Sequence, residues 1–133
     1  MIGRSAIREH VFVLLFESLF NSREEMESQT GSYFDGLEKP VDDESAEYIG
    51  ERYHLIEEKL PEIDALIGEK STGWKIGRIG KVELSILRLA VYEILYDDEV
   101  PVSVAINEAV ELSKKYGQDQ AGSFVNGVLA KFT

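Results

Sequence analysis

Apolar residues recur every three or four positions along most of this 133-residue chain, and no segment sustains the apolar–polar alternation of a half-buried strand. Each such run indicates a helix that buries one face. The predicted helices span about 5–20, 23–34, 42–60, 63–68, 81–96, 102–116 and 120–132. About seven helices joined by short connections indicate an all-α fold, a compact orthogonal bundle in two packed subdomains.

A capping residue, a proline and a glycine mark three of the predicted helix ends. Asn21 or Ser22 can cap the second helix by accepting backbone N–H groups. Pro61 lacks the N–H that a helix interior uses, and we therefore expect the third helix to end before it. Gly117 follows the sixth run and is expected to stop that helix.

The last three predicted helices differ in how much of their surface is apolar. Residues 81–96 are apolar nearly all round, which places that helix at the centre of the bundle. Residues 102–116 are amphipathic instead. Their expected inward-facing side chains are Val102, Ala105, Ile106, Ala109, Leu112 and Tyr116. The final helix is expected to pack through Phe124 or Val125, Val128, Leu129 and Phe132.

Length and charge distribution indicate how the chain is organised. We expect one domain over residues 1–133, with an N-terminal helical subdomain 1–70 and a C-terminal helical subdomain 71–133. The formal net charge is −11, and it is unevenly spread. Residues 1–70 hold 7 Lys and Arg against 17 Asp and Glu, whereas residues 71–133 hold 7 against 8. An acidic chain binds nucleic acid poorly without local basic patches, because affinity depends on neutralising phosphates.

Two short basic segments could meet an anionic ligand. Arg4 and Arg8 lie four residues apart, on one side of the first helical turn. The second segment holds Lys75, Arg78 and Lys81. Trp74 lies beside it and could pack between helices or stack on a nucleic-acid base, with packing favoured.

Catalytic and metal-binding patterns are sparse. The two histidines are far apart in sequence, and the carboxylate clusters lack the spacing of a calcium loop. The segment 77–80 resembles a phosphate loop only superficially, because no strand precedes it and no Gly-Lys-Ser/Thr ending follows. We therefore expect a non-enzymatic protein with no cofactor and no metal. Since cysteine is missing and no run is long and apolar enough for a membrane span, we expect a cytoplasmic protein.

The C-terminal half carries a long and specific motif. The motif segments are Glu83-Leu-Ser-Ile-Leu-Arg-Leu-Ala-Val-Tyr-Glu-Ile-Leu95, Val100-Pro101, Val104-Ala-Ile-Asn-Glu-Ala-Val-Glu-Leu112, Lys114-Lys-Tyr-Gly117 and Phe124-Val-Asn-Gly-Val-Leu129. In order and spacing they resemble the bacterial transcription antitermination factor family NusB. The N-terminal half resembles this family mainly through Arg4, Arg8-Glu9 and the apolar helix behind them.

This resemblance implies an RNA-binding adaptor. Members of the family bind the boxA element of ribosomal RNA leaders together with a small-subunit ribosomal protein, NusE, in an antitermination complex with RNA polymerase. The family's RNA contacts correspond here to Arg4, Arg8 and Phe124. Its protein-partner contacts correspond to Phe16 and Glu83. The expected location is the bacterial cytoplasm.

The chain departs from the family pattern in its basic residues. Residues 5–7 separate Arg4 from Arg8 where several consecutive basic residues are common, and residues 118–123 contain none. Weak RNA binding by the chain alone is therefore expected. One alternative is a protein–protein scaffold with little RNA binding of its own. A fusion to an RNA methyltransferase would need a further domain after Thr133, so a stand-alone protein is expected.

Some residue roles stay open at the level of sequence. Phe124 could stack on RNA or belong to the core, because it shares helical spacing with Val128. Gly127 lies inside a predicted helix, where close helix packing is favoured over close approach of RNA. Both a monomer and a homodimer are compatible with the sequence.

Overall fold

Apolar spacing and capping produce helices throughout the part of the chain that the computed structural model describes, residues 1–71 and 76–133. Within these residues there are six α-helices, one 3-10 helix and no strand, which confirms the all-α fold and gives one α-helix fewer than expected. The helices are α1 (Arg4–Glu17), α2 (Arg23–Asp35), α3 (Asp43–Lys70), the 3-10 helix (Ile76–Arg78), α4 (Lys81–Tyr96), α5 (Val102–Tyr116) and α6 (Ala121–Ala130).

The chain divides into two compact units, residues 1–55 and 56–133. This division falls inside α3, whereas the sequence suggested a boundary between residues 70 and 71. The expected hinge, Lys70–Gly73, extends into residues 72–75, which lie outside the described part. The boundary at 70/71 therefore stays a prediction.

In the first unit, side chains cap two helix starts. The Ser22 hydroxyl accepts the Glu25 backbone N–H at 3.1 Å, and the Glu25 carboxylate accepts the Ser22 N–H at 2.8 Å. This reciprocal pair is a capping box, and it confirms Ser22 as the cap of α2. At the start of α3, Asp42 accepts the Ser45 N–H at 3.0 Å. The Ser45 hydroxyl and N–H hold the pKa of Asp42 below its usual value.

A polar contact joins α1 to α2. His10 lies in α1 and Tyr33 in α2, and their rings meet edge to face with centroids 5.8 Å apart. The Tyr33 hydroxyl is hydrogen-bonded to Nδ1 of His10. Burial lowers the pKa of His10 below its ordinary value of 6.5, against a smaller opposing effect of the Glu9 carboxylate. The neutral imidazole is therefore the form that this contact favours.

Helix α3 continues through Pro61, and the predicted break at that residue is wrong. A proline inside a helix costs about 3 kcal/mol relative to alanine, because a hydrogen bond is lost and the ring crowds the preceding turn. The residues around it offset that cost. Ile56, Ile63 and Ile67 are fully buried, and each contributes about 1.5–3 kcal/mol by leaving water. Pro61 itself is exposed.

Helix α4 is the buried centre of the second unit, as its apolar pattern predicts. From Leu84 to Glu93, every residue except Arg88 is buried. Arg88 donates two hydrogen bonds to the Asp64 carboxylate of α3, from Nε at 2.9 Å and from Nη2 at 2.7 Å. This two-point geometry suits a guanidinium and a carboxylate, and it fixes how α4 lies against the second half of α3.

Helices α5 and α6 pack on each other and on α4. The predicted bounds of α5 agree with the structure, and α6 is shorter than expected at both ends. Val125, Val128 and Leu129 form the buried face of α6, while Phe124 is only half-buried. The expectation that Tyr116 faces inward is wrong, because its side chain is 39% exposed. None of the described helices is both long and apolar enough to cross a membrane.

Two glycines in these helices have opposite surroundings. A β-carbon on Gly117 would lie 2.6 Å from the Ala121 β-carbon and 2.8 Å from the Ser113 carbonyl oxygen, both too close. Gly117 ends α5 as predicted, with an extended backbone at φ −89°. A β-carbon on Gly127 would meet no atom within 4 Å, so the expectation of close packing there is wrong.

We expect Gly117→Ala to lower the free energy of unfolding by about 1–3 kcal/mol, because the new methyl group forces rigid atoms apart. Gly127→Ala should raise it by up to about 1 kcal/mol, since alanine favours a helix and finds open space. Urea unfolding followed by circular dichroism measures both. Equal effects of the two substitutions would contradict the close approach at Gly117.

Stability should also depend on the protonation of His10. Below pH 6.5 the unfolded chain takes up a proton at His10 that the folded chain resists, so the free energy of unfolding falls as pH decreases. The contribution is complete above pH 6.5 and is lost on acidification towards the lowered folded pKa. We expect His10→Gln to flatten this dependence in urea unfolding between about pH 7.5 and 5.5.

His54, which is exposed, provides the matched control. The same pH dependence in His10→Gln as in the unchanged chain, or its loss in His54→Gln, would show that His10 is not its origin.

Candidate nucleic-acid interface

Three helix ends of the second unit meet at Gly117. Helix α5 ends there. The Gly117 backbone lies so close to Ala121, at the start of α6, that a β-carbon on residue 117 would collide with the Ala121 side chain. Glu83 of the first turn of α4 also approaches, with Oε1 3.7 Å from the position of a Gly117 β-carbon. We call residues 76–83 and 114–124 the Gly117 corner, since these segments adjoin the three ends.

The connection between α5 and α6 is tight and strained at one residue. The Ala121 N–H donates to the Gln118 carbonyl at 3.1 Å, and the Phe124 N–H donates to the Gln120 carbonyl at 3.0 Å. Gln120 has φ 79°, the left-handed conformation that costs about 1–2 kcal/mol in a residue with a side chain. This turn places the start of α6 directly beside the end of α5.

Two of the predicted basic residues lie at the Gly117 corner. Arg78 is exposed at the end of the 3-10 helix, and Lys81 is exposed at the first position of α4. Cations at a helix start oppose the helix dipole, at a cost of up to about 1 kcal/mol. Glu83 adds a favourable charge in the same turn, and its carboxylate lies against the backbone of Gly80. Lys75 and Trp74 lie outside the described residues.

Phe124 supplies an aromatic ring on the first turn of α6. It is half-buried, whereas its neighbour Val125 is fully buried. The ring therefore lies at the edge of the core and keeps part of its surface accessible. The sequence pattern alone left its position undecided.

The N-terminal arginines have different surroundings in the first unit. Arg4, the first residue of α1, is exposed. Arg8 is only 8% exposed and takes part in interactions within the chain. A buried guanidinium requires such partners because its charge has left water. Both residues remain predicted RNA contacts, but Arg8 also has a structural role.

The predicted partner residue Phe16 belongs to an aromatic row at the end of α1. Its ring lies 6.4 Å from that of Phe12 and 5.2 Å from that of Phe20, which it meets edge to face. Phe12 is buried, Phe16 is half-buried and Phe20 is 60% exposed. Phe20 was not among the residues predicted from the sequence, although its spacing of four residues from Phe16 could have identified it as an extension of the Phe16 surface.

The candidate residues lie at the Gly117 corner in the second unit and along α1 in the first, where Arg4 and Phe16 are about 18 Å apart. Arg78, Lys81, Glu83 and Phe124 adjoin the helix ends that meet at Gly117, and Arg4, Arg8 and Phe16 lie on α1. Among the described residues, no group of three or more His, Asp or Glu side chains is arranged to hold a metal ion. Cations and partly exposed rings are the chemistry that these groups offer.

Comparison with known proteins identifies the family. The model of the NusB family matches residues 5–133. The transcription antitermination protein NusB of Lachnoclostridium phytofermentans is 55% identical over 128 residues, which cover 96% of each chain. A structure of T. maritima NusB superimposes with a TM-score of 0.84 and 32% identity, over 98% of this chain and 90% of that chain.

A second similar structure contains partners. It is a crystal structure of the antitermination factors NusB and NusE in complex with dsRNA. The TM-score is 0.79 and the identity 26%, over 97% of this chain and 94% of the matched chain. The family match over nearly the full length, the high identity to curated relatives and the shared all-helical fold agree: this chain belongs to the NusB family.

Proposed function

We propose that the chain is an RNA-binding adaptor in transcription antitermination, which binds boxA RNA of ribosomal RNA leaders together with the ribosomal protein NusE. It would act in the bacterial cytoplasm, in a complex with RNA polymerase. Family membership and the similarity to a NusB bound to NusE and dsRNA support this proposal. The observation that carries it is the Gly117 corner, whose adjoining segments carry exposed cations and a partly exposed phenylalanine.

The charge distribution favours RNA at this corner. Most of the negative charge lies in residues 1–70, so phosphates meet less repulsion at residues 71–133. Arg78 and Lys81 can each neutralise a phosphate, while the exposed part of Phe124 can stack on an unpaired base. Few cations take part, so the chain alone should bind weakly and with a shallow salt dependence.

A basic partner protein would compensate for the scarcity of cations. Glu83 lies two residues from Lys81 and is half-buried, so a partner that contacts it comes close to the proposed RNA site. Such a partner adds positive charge beside the RNA path, and binding of partner and RNA becomes mutually favourable. Phe16 and the exposed Phe20 offer an apolar contact that suits the same kind of protein.

A protein scaffold without RNA binding of its own is the second candidate. The net charge of −11 and the burial of Arg8 favour it, because both reduce the attraction for phosphates. The two candidates differ in whether changes at the Gly117 corner alter RNA affinity.

We expect the double substitution Arg78→Ala and Lys81→Ala to weaken binding of a boxA RNA to the complex with NusE. For single-stranded RNA, each lost phosphate contact should reduce the slope of log affinity against log salt by about 0.7. Phe124→Ala should weaken binding by about 1–3 kcal/mol if its ring stacks on a base. Fluorescence anisotropy titrations at several salt concentrations measure both effects.

Lys59→Ala is the matched control for the loss of positive charge. Lys59 is exposed in the same unit but pairs with Glu62 on α3, 3.9 Å away. If Lys59→Ala weakens RNA binding as much per lost charge as the double substitution does, the effect is one of overall charge. If RNA affinity is unaffected by every change at the corner, the scaffold candidate is favoured.

Charge reversal at Glu83 tests the partner surface. We expect Glu83→Lys to weaken the NusE complex at least tenfold, because it sets a cation against a basic protein. Calorimetric titration measures the affinity, and thermal unfolding checks that the crowded site beside Gly80 and Gly117 still folds. Glu62→Lys, the same reversal on an exposed surface, should leave the affinity within about twofold. Unchanged binding by folded Glu83→Lys would remove Glu83 from the interface.

A further inference from the structure

Three tyrosines among the described residues are exposed, and each has a cation close to its ring. The cation–ring distances are 5.5 Å for Arg52 and Tyr48, 5.4 Å for Lys59 and Tyr96, and 5.5 Å for Lys115 and Tyr116. An exposed aromatic ring beside a cation can hold a nucleic-acid base by stacking and its phosphate by charge. The three pairs differ in the charges that surround them.

Acidic neighbours disfavour a phosphate at two of these rings. Tyr48 lies one helical turn from Glu44 and Glu51 on α3, and Tyr96 is followed directly by residues 97–99, which are all acidic. Repulsion at such short range opposes the approach of RNA. Tyr48 and Tyr96, with the cations beside their rings, are therefore better explained as parts of solvated helix surfaces than as RNA contacts.

Tyr116 has a more favourable setting. Two lysines precede it, and the next acidic residues in sequence are Glu111 and Asp119. Across the corner, the Glu83 carboxylate approaches Gly117, and the two lysines outnumber it. The Glu111 carboxylate is already engaged by Lys114 at 3.2 Å, which reduces its repulsion of a phosphate. Lys115 is exposed next to the ring that its ammonium group covers.

The position of Tyr116 in the fold also distinguishes it from Tyr48 and Tyr96. Tyr116 is joined to Gly117, so it belongs to the corner where α5 meets the start of α6. Phe124 follows one turn into α6, with its N–H bonded to the Gln120 carbonyl. The backbone positions of the two rings thus flank the same tight connection, which carries the polar side chains of Gln118 and Gln120.

We propose that Tyr116 and Lys115 form a second base-stacking site for single-stranded RNA, continuous with the one proposed at Phe124. This inference rests on the proposed function. The exposed part of the tyrosine ring takes an unpaired base, and Lys115 contacts the adjoining phosphate. Lys115 thereby supplies the positive charge that residues 118–123 lack. Stacking on tyrosine tolerates any base, so this site adds affinity more than sequence preference.

Binding of a boxA-containing single-stranded RNA to the complex of this chain with NusE tests the site. At fixed salt, we expect Tyr116→Ala to weaken RNA binding about tenfold, and Tyr116→Phe, which keeps the ring, to restore most of the affinity. Tyr96→Ala is the matched control, since it removes an equally exposed tyrosine that also has a lysine beside it. Lys115→Ala should lower the salt slope by about 0.7.

Photocrosslinking gives a second readout that needs no substitution. RNA carrying 5-iodouridine should crosslink to Tyr116 of the unchanged chain, so the site can be tested even if Tyr116→Ala does not fold. Crosslinks to Phe124 without any to Tyr116 would overturn the second stacking site. Folded Tyr116→Ala with unchanged RNA affinity would overturn it as well.

The remaining outcomes separate this site from the proposed function. If Phe124→Ala weakens RNA binding and Tyr116→Ala does not, only the second site fails. If Tyr116→Ala weakens NusE binding but not RNA binding to the chain alone, the surface contacts protein and the RNA site is wrong. If the unchanged chain binds no RNA with or without NusE, the proposed function fails together with this inference.

Discussion

At Gly117 the end of α5 lies so close to the start of α6 that a single methyl group does not fit. The arrangement of the second unit's candidate residues depends on this close approach. It sets the α6 start beside the α5 end and leaves room for the Glu83 side chain of α4. Side chains that are distant in sequence, such as Lys81 and Phe124, are thereby attached to one junction. Helix packing determines where the Gly117 corner lies. The side chains of its segments determine what it can bind.

The interior of the second unit keeps this junction in place. Helix α4 is buried from Leu84 to Glu93, apart from Arg88, which is bonded at two points to Asp64 on α3. A helix with this much burial cannot turn about its axis without exposing apolar surface. The two-point ion pair also fixes its position along α3. The residues at the start of α4 are therefore presented in one orientation relative to α5 and α6.

Local signals predicted much of this fold. The bounds of α4 and α5 follow from apolar spacing, and Ser22 was identifiable as a cap because its hydroxyl and Glu25 have capping-box spacing. The continuation of α3 through Pro61 was not predictable, because it depends on isoleucines buried by tertiary packing. The absence of contacts at Gly127 likewise depends on where neighbouring helices pass. Apolar periodicity shows which face of a helix is the most apolar. It does not show how much of that face the neighbouring helices cover.

Part of the candidate site was also predictable from the sequence. Glu83 and Phe124 were identified from the family resemblance, and the structure adds that they adjoin one junction. The exposure of Tyr116 was missed, because its spacing with Ala105, Ala109 and Leu112 matches the buried face of α5 while the helix ends beyond the core. The roles of these residues in RNA and partner binding stay predictions. Lys75 lies outside the described residues.

The burial of Arg8 has a consequence for genetics. A destabilisation of about 1–2 kcal/mol can change the amount of a protein in the cell several-fold, because unfolded chains are degraded. Arg8 is 8% exposed and takes part in interactions within the chain, so replacing it affects the folded state itself. A strain with a substitution at Arg8 can then lose antitermination through a lower protein level. A substitution at the exposed Arg4 is free of this ambiguity, and its phenotype reports more directly on surface contacts.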